Sequence, residues 1–105
     1  MSDLPVTVNL DAYEGDDWSQ TFRFKTNTTP VDLSSASVLS ECRGPGAQMF
    51  QIPTNLANAS QGEVTLMLPE GIKAGSYYYD VQVTLNGLIT TWVTGKLNIS
   101  PEVTV

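Results

Sequence analysis

Gly75-Ser76-Tyr77-Tyr78-Tyr79-Asp80-Val81-Gln82-Val83-Thr84, the turn Leu85-Asn86-Gly87, and the return Leu88-Ile89-Thr90-Thr91-Trp92-Val93-Thr94-Gly95-Lys96-Leu97-Asn98-Ile99-Ser100 together decide the fold. On the outgoing run Tyr77, Tyr79, Val81 and Val83 share a face. On the return Ile89, Thr91, Val93, Leu97 and Ile99 share one, with Gly95 among them. Period-two alternation of this kind marks half-buried strands. A two-residue loop at Asn86-Gly87 pairs Leu85 with Leu88 and Val81 with Trp92, which sets an apolar face beside a polar one. A three-residue loop, Leu85-Asn86-Gly87, pairs Val83 with Ile89 and Tyr79 with Val93, and both apolar faces then point the same way. A one-residue slip turns every side chain over, so the pattern predicts the three-residue loop with a bulge and a positive φ at Gly87. That register sets Tyr77 over Gly95. It puts Tyr78, Asp80, Trp92 and Thr94 together on the outer face, as a candidate protein interface.

The alternation continues upstream. Val6, Val8 and Leu10 alternate with Thr7, Asn9 and Asp11, and Glu14-Gly15-Asp16-Asp17 reads as a turn. Trp18, Gln20, Phe22 and Phe24 face one way, while Ser19, Thr21, Arg23 and Lys25 face the other. Asn27 to Pro30 is a turn, Ser37 to Arg43 a strand with neither face singled out, and Gly44-Pro45-Gly46 a loop. Ala47 to Ile52 is a short strand ended by Pro53. Thr54 to Gln61 is a loop or one helical turn, and Val64, Leu66 and Leu68 align on a further strand. About seven short strands with no helical crossover predict an all-β, antiparallel, immunoglobulin-like β-sandwich as architecture, without the Cys and Trp spacing of antibody domains. At 105 residues the whole chain, 1–105, is expected to form one domain with short termini, Met1 to Pro5 and Ser100 to Val105, that order on a partner.

Composition limits the chemistry. There is no histidine and one cysteine, Cys42, so neither an intrachain disulfide nor the usual serine or cysteine catalytic constellation can be built. Structural zinc is excluded for the same reason. Cys42 is expected in or near the core as a small hydrophobe. The Glu14, Asp16 and Asp17 turn lacks the spacing of a calcium loop, so no metal and no cofactor is expected. Net charge is −6, and the five cations Arg23, Lys25, Arg43, Lys73 and Lys96 are scattered singly. Nucleic-acid binding needs clustered cations, and none is predicted. No apolar run approaches the roughly 20 residues that span a bilayer. Met1-Ser2-Asp3-Leu4-Pro5 carries no basic region followed by an apolar one, so no signal peptide is predicted and synthesis in the cytoplasm is expected. The reading is non-enzymatic: a protein that docks on other proteins.

Several features recur in a known order. An early Glu14-Gly15-Asp16-Asp17 turn leads into an aromatic strand. Then come Pro30-Val31-Asp32-Leu33-Ser34, a strand ending near Arg43, Gly62-Glu63-Val64-Thr65-Leu66, Gly75-Ser76-Tyr77-Tyr78-Tyr79-Asp80-Val81-Gln82-Val83, Gly87, Gly95 and Val103-Thr104. Over nearly its whole length the chain resembles the small β-sandwich structural proteins of tailed-bacteriophage virions. The resemblance implies a virion component made in the host cytoplasm: a capsid decoration or cement protein bound to the major capsid protein, gaining avidity from many copies or from trimerisation. The alternative that the resemblance implies is a tail or baseplate adaptor. A carbohydrate-binding module is a reading from a different class, with Trp18, Trp92 and Tyr78 as stacking platforms.

Overall fold

Side-chain alternation builds two sheets over one shared core. The computed structural model describes residues 5–15, 17–26, 28–44, 49–56 and 58–101. The expectations at Asp16 in the acidic turn, at Asn27, at 45–48, at Ala57 and at the ends 1–4 and 102–105 therefore lie outside the described residues. The larger sheet contains β1 (Val6–Thr7), β2 (Leu10–Tyr13), β6 (Ser37–Arg43), β7 (Met49–Ile52), β10 (Gly75–Leu85) and β11 (Leu88–Ser100). Its order is β1-β11-β10-β6-β7, with β2 also on β11. The smaller sheet runs β3 (Ser19–Arg23), β9 (Glu63–Met67), β8 (Thr54–Asn55), and a two-stranded ribbon joins β4 (Lys25–Thr26) to β5 (Thr29–Pro30). Ala59–Gln61 forms a single 3-10 turn. The all-β expectation is met, and the strand over Ser37–Arg43 has the predicted bounds.

The pairing is not antiparallel throughout. Val6 lies beside Val93 and Leu10 beside Leu97, both in parallel register. Sequence alternation places a strand but says nothing about its direction. A parallel pair needs a long crossover, and here nearly the whole chain separates the first strand from the last. The larger sheet is therefore mixed, while the smaller sheet and the ribbon are antiparallel.

The final hairpin also differs from expectation. Leu85 pairs with Leu88, so the loop has two residues, with Asn86 at φ 54° and Gly87 at φ 79°. Both central residues being left-handed marks a type I′ turn, the form favoured by Asn-Gly. The phase conflict that argued against this loop is resolved further down the strands. Gln82 pairs with Thr91 but Val81 with Val93, leaving Trp92 as the extra residue of a β-bulge. Trp92 and Val93 are consequently both buried. The two-residue offset puts Tyr79, rather than Tyr77, across from Gly95. Ile89 pairs with Thr84 on the outer face and is 70% exposed, against the expectation that it shares the core side.

The core draws on both sheets: Leu10, Cys42, Tyr77, Tyr79, Val81, Val83, Trp92, Val93, Leu97 and Ile99 from the larger, Val64 and Leu66 from the smaller. Phe24 closes it, meeting Trp92 edge-on at 4.9 Å and 78°. At roughly 25 cal/mol per Å² of apolar surface removed from water, each such aromatic contributes about 2 kcal/mol or more. Trp18 and Phe22 pack against this core from β3 and its flank, as the alternation from Trp18 to Lys25 predicts.

Candidate protein interface

Of the four predicted interface residues the structure brings three together. Tyr78, Asp80 and Thr94 lie on the outer face of the larger sheet, because Tyr77, Tyr79, Val81 and Val93 take the inner one. Trp92 does not join them. Its place in the bulge turns the indole inward, and it is 4% exposed. Trp18 is half-buried against the core as well. Of the three rings suggested as glycan platforms, Tyr78 alone is exposed, at 65%.

Tyr78 sits mid-strand, with Lys96 across on β11 and Arg43 across on β6. Asp80, one step along the same face, has Thr94 on one side and Glu41 on the other. Thr7 of β1 extends that row, beside Thr94. Asn9 accepts the Lys96 N–H on its side-chain oxygen at 3.1 Å. Together these residues line a shallow open trough of about 460 Å³ with Tyr78 forming one wall. Thr7, Asn9, Glu41, Arg43 and Lys96 were not singled out from the sequence. A signal for two of them existed: a buried Cys42 forces Glu41 and Arg43 outward by alternation.

Burial and the neighbouring Glu41 carboxylate push the Asp80 carboxyl above its ordinary pKa, while Arg43 pulls the other way. Among the described residues the single ion pair, Arg23 to Glu63 at 3.4 Å, lies on the other sheet. Arg43 and Lys96 thus have no salt-bridge partner there. Beneath the face, Ser40 donates its hydroxyl to the Asp80 carbonyl at 2.7 Å, tying β6 to β10.

Compared with known protein families and with curated proteins, the chain matches none.

Elsewhere the reactive groups are committed to structure. Cys42 is fully buried, and desolvation pushes its thiol up to about 11, so it is a protonated core side chain at neutral pH. Glu14 accepts the Ala74 N–H at 2.6 Å, fastening the acidic turn to the loop before β10. Among the described residues no three thiol or carboxylate groups converge as metal ligands would. An open sheet face around an uncovered aromatic can bind another surface, whereas a small-molecule site is normally an enclosing cleft.

Proposed function

We propose that this is a non-enzymatic structural protein of a tailed-phage virion, a capsid decoration protein, and that the face around Tyr78 is a protein–protein interface. The observation that carries the interface is a tyrosine 65% exposed in the interior of the widest sheet, between two cations without ion-pair partners among the described residues. Tyr and Arg are among the residue types enriched at the centre of interfaces. The virion assignment rests on the resemblance of the turn and strand order. The architecture is compatible with an immunoglobulin-like sandwich. Joined across their short interruptions, β1 with β2, β3 with β4 and β7 with β8 give eight runs with β5, β6, β9, β10 and β11, close to the number in such a sandwich.

Cryo-electron microscopy and mass spectrometry of separated heads and tails test the assignment. A decoration protein is expected in many copies on heads, and Tyr78→Ala is expected to lower its occupancy there. Low, ring-like copy number confined to tails would replace decoration by the adaptor reading. Absence from both would overturn the virion assignment, and specific glycan binding by the isolated chain would favour a carbohydrate-binding module.

A further inference from the structure

The outer face carries its charges in two rows that cross the strands. Thr94, Asp80 and Glu41 form one, on β11, β10 and β6; Lys96, Tyr78 and Arg43 form the next, two residues along each strand. The rows lie about 6.6 Å apart and their members about 4.8 Å apart. One row is acidic and the other basic. The four charges cancel, although the chain as a whole carries −6. Two copies can therefore approach through these rows without the repulsion that a net charge of −6 would otherwise impose.

We propose that this face binds a second copy of the chain across a two-fold axis that lies in the interface, perpendicular to the strands and midway between the rows. That operation reverses the order of the rows and keeps each strand's column. Arg43 of each copy then meets Glu41 of the other, giving two equivalent ion pairs. Tyr78 meets the trough beside Asp80, where its hydroxyl can donate to the carboxylate. An isologous contact requires projection and depression on the same patch. Tyr78 and the trough of about 460 Å³ that it borders, which runs across both rows, supply both. Two sheets packed in this way keep their strands within about 30° of alignment, a skew the long Arg43 and Lys96 side chains can follow. Asp80, partly desolvated and crowded by Glu41, gains a donor on pairing.

This inference rests on the reading that the Tyr78 face is an interface, and it names the occupant. Charge exchange tests it by analytical ultracentrifugation of the full chain, with circular dichroism confirming that each variant is folded. The wild type is expected to dimerise with increasing concentration. Arg43→Glu and Glu41→Arg, which set like charges opposite one another, are each expected to weaken self-association by about tenfold or more. The double exchange, Arg43→Glu with Glu41→Arg, restores opposite charges and is expected to recover most of the loss. A wild type that stays monomeric up to about 1 mM, single variants that dimerise normally, or a folded double variant without recovery would overturn the proposal. Head occupancy separates the two readings. A monomeric protein whose Tyr78→Ala variant still loses occupancy removes the dimer and keeps the interface. A monomeric protein whose variant binds heads normally removes both.

Discussion

Gly95 of β11 lies between the Val8 carbonyl and the Tyr79 ring of β10. A methyl group built on it would strike the carbonyl of Val8, 2.7 Å from the carbonyl carbon, and lie 3.1 Å from the Tyr79 ring. The obstacle is backbone, which cannot swing aside as a side chain can. Gly95→Ala is therefore expected to destabilise the fold by about 2 kcal/mol, read from the urea midpoint. Above the same point Tyr79 spans the ring-sized gap and donates its hydroxyl to the Val8 carbonyl at 2.7 Å. Tyr79→Phe keeps the ring and removes the donor, for an expected loss of about 1 kcal/mol at neutral pH. Burial pushes the Tyr79 hydroxyl from 10.0 up to about 12. A folded-state pKa above the unfolded value gives stability that is complete below pH 10 and lost as pH rises through 12. The phenylalanine variant should accordingly show a shallower alkaline decline in stability than the wild type.

At the scale of the element, the last hairpin is governed by two local irregularities that compensate. The type I′ turn sets the phase, and the bulge at Trp92, three residues before Gly95, resets it so that Gly95 falls across from Tyr79. Gly87, at φ 79° with nothing within 4 Å of an added methyl, is constrained by backbone conformation alone. Gly87→Ala is expected to cost about 1 kcal/mol, with the native near-ultraviolet dichroism retained. Trp92→Ala removes the ring that meets Phe24 and should cost about 3–5 kcal/mol, checked by thermal melting. Part of the fold was readable as alternation: β3 and β9 lie within or beside the runs Trp18 to Lys25 and Val64 to Leu68, although the first run is interrupted at Phe24, and Ser37–Arg43 has the predicted bounds without a predicted buried face. The hairpin register was not, because one loop residue and one bulge residue change the phase by the same single step. Alternation cannot tell them apart, although Asn-Gly was itself the local signal for the shorter loop. Tyr78, Asp80 and Thr94 were recoverable as one face for the same reason that Trp92 was misplaced: the first three lie beyond the bulge, and Trp92 is the bulge. Arg43 and Glu41 reach the face through a β6–β10 pairing forty residues apart in sequence (Asp80 accepts from Ser40 there), which no local pattern encodes.

For the molecule as a whole, the first and last strands meet in one sheet, with β1 and β2 laid parallel along β11 and β6 held between β10 and β7. No internal strand can detach without opening that sheet. Cys42 reports on this arrangement. It lies in β6 with strands on both sides, has 0% exposure, and its thiol sits at about 11. A thiol reagent needs the exposed thiolate, so native protein at neutral pH is expected to resist labelling while urea-unfolded protein reacts at once. If β6 is freed only by complete unfolding, the labelling rate should equal the rate for the unfolded chain multiplied by the unfolding equilibrium constant. Two consequences distinguish this from a local opening. The opening free energy from labelling should match the global value from urea titration, and it should fall linearly with added urea at the same slope. Gly95→Ala, remote in sequence from Cys42, should then accelerate labelling by the factor its equilibrium destabilisation predicts, about thirtyfold for 2 kcal/mol. A labelling rate insensitive to urea, or unmoved by Gly95→Ala, would mean instead that β6 and β7 separate from the sheet on their own.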